Sequence, residues 1–126
     1  LAGHVIWAGV RHDLPAVYSA LDIASSSSSF GEGFSNAVAE AMACERVCVV
    51  TAVGDSARII GDTGYVIPAR NPQALAKAWE AALVLPAEER ARRGLAARAR
   101  IEAEFSLARM IERTAKELDV WAALGS

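Results

Sequence analysis

Residues 30–43 have the sequence FGEGFSNAVAEAMA, in which a glycine-rich half is followed by an alanine-rich half. Glycine disfavours a helix interior and alanine favours it, so the stretch predicts a turn that leads into a helix near Ser35. Glu32 precedes the end of the turn, and Glu40 lies eight residues later on the predicted helix. A carboxylate on each side of this change indicates a functional site rather than a packing element.

The length and composition of the chain limit the classes of function that it can have. Its 126 residues fit one domain. The net charge is −2, which gives no general attraction to nucleic acid, and no apolar run approaches the ~18 residues of a membrane span. Cys44 and Cys48 have no second pair of metal ligands near them in the sequence, so we expect buried free thiols and no metal site.

Strand-like and helix-like segments alternate along the chain. The predicted strands comprise residues 4–9, 23–26, 47–51 and 64–67. The predicted helices comprise residues 15–21, 35–44, 56–60, 72–84, 86–105 and 106–124. The apolar run of residues 47–51 is typical of a strand that is covered on both faces. Strands that alternate with helices predict an α/β fold with a parallel sheet, flanking helices and right-handed crossovers.

The glycine-rich turn of residues 31–36 has the position of a ligand site. In an open parallel sheet, ligands bind beyond the carboxyl ends of the strands, where such a turn leads into a helix. Exposed backbone amides near Phe34, Ser35 and Asn36, together with the helix dipole, predict an anion site that suits phosphate. Asn36 replaces the last glycine of the dinucleotide fingerprint, and a P-loop lysine motif is absent from the sequence, so ATP hydrolysis is not indicated.

Glu40 shares a face of the predicted helix with Asn36, while the apolar residues of this helix cluster on the opposite face. A carboxylate at the helix tip would repel a bound diphosphate, whereas that of Glu40 lies one turn further, roughly 6 Å away. It could accept hydrogen bonds from two ribose hydroxyls, as acidic residues do in other nucleotide sites. In the alternative, Glu40 only favours the positive end of its helix, and Glu32 is an ordinary loop residue. The two glutamates together with the glycine turn favour a site.

Residues 32–43 resemble the E-x7-E signature of the retaining nucleotide-sugar glycosyltransferases of family four, the glycogen-synthase-like group with the GT-B fold. The similarity extends to further segments, which comprise residues 5–10, 17–22, 49–54, 61–66 and 105–106. The resemblance implies that residues 1–126 are a single, truncated nucleotide-sugar-binding domain, the Rossmann-like C-terminal domain of such an enzyme with its closing C-terminal helices. It also implies a missing N-terminal domain that binds the acceptor.

The resemblance also implies which residues of this chain have the roles of the family's site residues. Glu32 would be the catalytic residue that contacts the donor sugar, and Glu40 would hold the ribose. The amides of Gly33 and the three residues after it would bind the diphosphate. Arg11, mainly through its backbone, would contact the base. The donor would be a UDP- or GDP-linked sugar, with no cofactor and no metal.

The sequence departs from the family pattern at two places within the matched region. Glu45 and Arg46 stand where a glycine-proline pair is common, and Arg58 stands where a glutamate is common. In addition, the family's phosphate-neutralising Arg and Lys, and the two strands around them, have no counterpart in this sequence. We therefore expect the isolated chain to be inactive, with an unpaired edge on the strand of residues 23–26 and with dimerisation or domain swapping.

The function implied is retaining transfer of a hexosyl group to a saccharide or lipid-linked acceptor, as in polysaccharide biosynthesis. Two alternatives stay open: a non-catalytic nucleotide-binding or interaction module of the same fold, and a nucleotide-sugar epimerase. A cytoplasmic location is expected. The basic stretch of residues 90–100 allows peripheral contact with the inner membrane face, although its interleaved glutamates favour a solvated helix face.

Overall fold

A three-stranded parallel sheet in the order β1-β2-β3 forms the centre of the computed structural model, which describes residues 2–124. The strands are β1 (Ile23–Ser26), β2 (Val47–Thr51) and β3 (Tyr65–Ile67). The register places these residues opposite each other: Ile23 and Val47, Ser26 and Val50, Val49 and Tyr65, and Thr51 and Ile67. The predicted parallel α/β sheet is therefore confirmed.

Helices connect and flank these strands. In chain order they are α1 (Leu14–Ser19), α2 (Asn36–Ala43), α3 (Ser56–Ile60), α4 (Pro72–Leu83), α5 (Ala87–Glu104) and α6 (Leu107–Leu124). Each of them lies within one or two residues of a helix predicted from the sequence. Proline in the first turn of α1 and α4 explains where these two begin, because its missing N–H has no helical partner there.

β2 is the centre of the core, and each of its residues is buried. Val47 and Val49 pack in one apolar cluster with residues of α4, whereas Cys48 and Val50 pack in the other with residues of α2, α3 and α5. Alternate side chains of a strand point to opposite faces, so helices cover the sheet on both sides. This confirms the strand that was predicted to be covered on both faces.

α2 is amphipathic in the way that its sequence predicts. Val38, Ala41 and Met42 are buried against the sheet and α5, while Asn36 and Glu40 are exposed. The apolar side chains fix the orientation of the helix, because burying each of them fully contributes about 1–3 kcal/mol. The polar side of α2 is consequently held facing outward at a defined angle.

The turn between α2 and β2 is closed even though it lacks glycine. Glu45 has a φ of 61°, a left-handed conformation that glycine adopts more readily. The amide of Glu45 donates to Met42 O at 2.9 Å and that of Arg46 donates to Ala41 O at 3.0 Å, which ends the helix. Across from this turn, a Cβ on Gly94 of α5 would collide with the carbonyl of Glu45. The glycine that allows α5 to pack closely against the end of α2 is therefore Gly94, on α5.

The predicted strand over residues 4–9 is wrong. This segment pairs with no strand among the described residues, and Gly3 and Gly9 have φ values of 87° and 64°. Ile6 and Trp7 are 91% and 92% exposed. An apolar run becomes a strand only where a neighbour completes the ladder of backbone hydrogen bonds, and the run itself does not show whether a neighbour exists.

Three of the basic residues of α5 form ion pairs along their own helix. Arg92 and Arg93 donate to Glu89 at 2.7 and 2.9 Å, and these hydrogen bonds lower the pKa of Glu89 to about 2. Arg98 donates to Glu102 at 2.9 Å. These pairs support the interpretation of a solvated helix face. Between residues 2 and 124, no helix has the length and apolar character needed to cross a membrane.

Candidate functional site

The loop of residues 27–35 lies at the carboxyl ends of β1 and β2, where it leads from β1 into α2. Thr51, the buried last residue of β2, donates from Oγ1 to Ser28 O at 2.7 Å. This hydrogen bond ties the loop to the neighbouring strand. The loop therefore occupies the edge at which open parallel sheets bind ligands.

Glu32 is half-buried in this loop and accepts a hydrogen bond from Ser28 Oγ at 2.8 Å. The next glycine turn packs directly against it, since a Cβ on Gly54 would collide with the carbonyl oxygen of Glu32. The amide of Asp55 also donates to Gly33 O at 3.2 Å. The turns that follow β1 and β2 thus support each other at the backbone of Glu32, and Ser28 orients its carboxylate.

The first turn of α2 has amides that no side chain caps. Ser35 is buried at the N-cap position with extended backbone angles, and its side chain makes no capping hydrogen bond. Asn36, the first helical residue, is exposed. The first amides of a helix lack partners within the helix and lie at the positive end of its dipole. This turn is therefore suited to an anion.

A groove of about 620 Å³ borders the same turn on the side of α5 and α6. Phe34 and Asn36 line it from the turn, and Arg58 lines it from α3. The ring of Phe34 packs on Phe105 with the centroids 5.5 Å apart, and the Arg58 guanidinium lies 5.4 Å from the Phe105 centroid. Arg58 thus brings a positive charge beside the turn, where the family pattern has a glutamate.

Glu40 contacts α1 through a hydrogen bond. The hydroxyl of Tyr18 donates to Glu40 Oε2 at 3.2 Å. Burial, and then the nearby Glu40 carboxylate, raise the pKa of Tyr18 above its usual value of 10, so the phenol remains a donor at neutral pH. The orientation of the carboxylate is therefore constrained from one side.

A cleft of about 420 Å³ lies beside Glu40 and Tyr18. It is lined by His12, Leu14, Pro15, Tyr18, Glu40, Ala43 and Cys44. Most of this wall is apolar, while the carboxylate, the phenol and the imidazole bring polar groups to it. A cleft with this mixture can hold a flat or cyclic group whose hydroxyls point at Glu40.

The implied site residues are only partly brought together. Glu32 and Glu40 stand on either side of the start of α2, with the amides of residues 33–36 between them along the chain. Arg11 is different, because its guanidinium is paired with Asp13 and it does not line the cleft. The neighbouring His12 does line it, so the backbone of this segment runs close to Glu40.

Both cysteines have free thiols, and Cys48 is buried as predicted, but the prediction that Cys44 is buried is wrong. Burial raises the pKa of Cys48 to about 12, which makes its thiol unreactive at neutral pH. Cys44 is half-buried and faces the Glu40 cleft. Over residues 2–124, the His, Cys, Asp and Glu side chains do not gather in a group of three or more that could hold a metal ion.

Tyr18 and Arg58 are two candidate site residues whose roles the sequence did not reveal. Tyr18 is 22 positions from Glu40, and no helix or strand spacing links residues so far apart. Arg58 is the third of the five residues of α3, which starts at the same edge of the sheet as α2. Two signals point to it: its position in the family pattern, and the place of α3 after β2.

Comparison with known proteins bears on the family and the fold. The family model described as glycosyl transferases group 1 matches residues 1–84. No curated protein matches the chain. A glycosyltransferase from Rickettsia africae ESF-5 superimposes with a TM-score of 0.77 at 24% identity, over 84% of this chain and 29% of that one. This likeness concerns the fold.

A second solved structure, sucrose-phosphate synthase from Thermosynechococcus elongatus, superimposes with a TM-score of 0.73 at 30% identity. The match covers 85% of this chain and 27% of that one, so the chain spans less than a third of either solved protein. The family model covers well over half of the chain. Both solved structures share the parallel sheet with flanking helices that this chain has. The chain therefore belongs to the group 1 glycosyltransferases.

Proposed function

We propose that this chain is the nucleotide-sugar-binding C-terminal domain of a retaining glycosyltransferase of family four with the GT-B fold. The observation that carries the proposal is the placement of Glu32 and Glu40 on either side of the uncapped start of α2, at the carboxyl edge of the sheet. Membership of the group 1 glycosyltransferases supports the reaction class. The donor is a UDP- or GDP-linked hexose, and the proposal includes no metal or other cofactor.

Binding of the diphosphate is assigned to the turn and the first amides of α2. The amides of Gly33, Phe34, Ser35 and Asn36 supply hydrogen-bond donors, and the helix dipole adds positive potential. Glycine at position 33 leaves the backbone open to close approach, because nothing lies within 4 Å of where its Cβ would be. Glu40 lies one turn further along the helix, where it repels the phosphates less than a carboxylate at the helix tip would.

The two carboxylates have separate roles in this proposal. Glu32 is held by Ser28 at the sheet edge, where it contacts the donor sugar and acts at the reacting centre. Glu40 is exposed beside the cleft and accepts hydrogen bonds from the ribose hydroxyls. Arg11 contacts the base through its backbone, since its side chain is paired with Asp13.

The whole enzyme needs parts beyond these residues. Retaining transfer requires positively charged side chains that stabilise the negative charge of the leaving diphosphate. We assign this role to an Arg and a Lys of a preceding strand. A preceding domain binds the saccharide or lipid-linked acceptor. The 126-residue chain alone should accordingly bind nucleotide weakly and transfer no sugar.

Amide NMR titration of this chain tests the diphosphate site. UDP or GDP should shift the amide signals of Phe34, Ser35, Asn36 and Ala37, whereas uridine or guanosine should shift them little. The reason is that the nucleosides lack the charge that this helix end attracts. Equal shifts from the nucleoside and the diphosphate would refute the assignment of these amides.

A further inference from the structure

We propose that Tyr18 is a positioning residue that holds the Glu40 carboxylate in the orientation needed to bind a ribose 2′,3′-diol. This inference rests on the proposed function, because it assigns the ribose to Glu40. It adds a residue from α1, outside the E-x7-E stretch, to the determinants of donor recognition.

The geometry distinguishes the two oxygens of the Glu40 carboxylate. Tyr18 donates to Oε2 at 3.2 Å. Within residues 2–124, Oε1 has no hydrogen-bond partner in the protein, and Glu40 belongs to no ion pair. Both side chains line the same cleft of about 420 Å³. One oxygen is thus held by the protein, and the other remains available to a ligand.

Tyr18 can hold Glu40 because its own ring is held. The ring is half-buried and packs against the apolar cluster formed by residues of α2, β2, α3 and α5. Glu40 itself is exposed, and a free glutamate side chain occupies several rotamers. Fixing one rotamer before the ligand arrives lowers the entropy lost on binding, which is the physical basis of preorganisation.

The same hydrogen bond could instead serve only to hold α1 against α2. The two roles predict different results when the phenol oxygen is removed. If the bond only joins the helices, removing it changes the free energy of unfolding but does not change the preference for a nucleotide with the diol. A positioning bond changes how strongly the protein prefers a nucleotide with the diol over one without it.

The test measures this preference in the 126-residue chain by NMR titration. UDP and GDP are each compared with their 2′,3′-dideoxy analogues, and the pair that binds more tightly is used. Tyr18→Phe keeps the packed ring, so the variant should fold. The ratio of the two dissociation constants should fall about three- to tenfold, the effect of one lost hydrogen bond, while affinity for the dideoxy analogue stays unchanged.

Two further variants make the result specific. Tyr65→Phe is the matched control, since Tyr65 is also half-buried and its hydroxyl makes no hydrogen bond to residues 2–124, so the diol preference should not change. In a Glu40→Gln background, Tyr18→Phe should have little additional effect, because the two side chains act as a unit.

The outcomes separate this inference from the proposed function. If Glu40→Gln abolishes the diol preference and Tyr18→Phe preserves it in full, Tyr18 has only a structural role and the inference is overturned, while the proposed function stands. If the wild-type chain shows no diol preference, or binds neither nucleotide, the ribose role of Glu40 fails and this inference fails with it.

Discussion

The carboxylate of Glu40 is exposed on α2, and its side chain makes one hydrogen bond to the described residues, from Tyr18. Such a group contributes little to the free energy of unfolding. A hydrogen bond from a ribose hydroxyl to the same carboxylate would be charge-assisted, and these contribute about 1.5–3 kcal/mol. Glu40 should therefore matter for binding far more than for stability.

Glu40→Gln keeps the shape of the side chain and removes the charge. In the full-length enzyme that we propose, nucleotide affinity should fall by tenfold or more, with little change in melting temperature. Isothermal titration calorimetry and thermal unfolding measure the two quantities on the same sample. A large loss of stability with unchanged affinity would mean that Glu40 only favours its helix end.

At the level of residues, the sequence was informative where local periodicity decides the outcome. Spacing along α2 was enough to predict that Val38, Ala41 and Met42 are buried and that Glu40 is exposed. The contact between Tyr18 and Glu40 could not be predicted, because it depends on how α1 packs on α2. Tertiary contacts between distant residues have no signature in a single sequence.

At the level of elements, the turn that ends α2 should be stabilised by a glycine at position 45. Glu45 occupies a left-handed conformation at a φ of 61°, which costs a non-glycine residue roughly 1–2 kcal/mol. Its ion pair with Arg98, at 3.5 Å between side chains that are 38% and 50% exposed, contributes at most about 1 kcal/mol. Glu45→Gly should then raise the free energy of unfolding by about 0.5–1 kcal/mol.

Urea unfolding followed by circular dichroism measures this change. Glu45→Gln is the control, because it removes the charge and keeps the strained backbone, and it should be neutral or slightly destabilising. If Glu45→Gly proved less stable than Glu45→Gln, the relief of backbone strain would not be the dominant effect at this turn.

The elements themselves were predictable to different degrees. The helices and the strands β1, β2 and β3 were recognised because periodicity, proline and glycine mark them in the sequence. The segment of residues 4–9 was mistaken for a strand because its apolar residues resemble a buried strand. Forming that strand requires a partner strand, and no local pattern encodes the partner.

At the level of the molecule, each outer strand of the sheet has an unpaired edge among residues 2–124. Across residues 2–124, β1 forms a ladder with β2 alone, which confirms the unpaired edge expected for residues 23–26. α6 has no buried residue, and its exposed apolar side chains include Leu107, Met110, Ile111, Leu118 and Trp121. Exposed edges recruit partners. Dimerisation or swapping of an element stays a prediction, as does the domain that we place before this one.

In the proposed binding mode, a donor nucleotide lies along α2, with its diphosphate at the turn of residues 31–36 and its ribose at Glu40. A crystal structure of the chain with UDP or GDP tests it most directly. We expect phosphate oxygens within about 2.7–3.2 Å of the amides that follow Gly33, and ribose hydroxyls hydrogen-bonded to Glu40 beside Tyr18. A nucleotide bound in the groove at Phe105, or bound with its ribose at the turn, would contradict it.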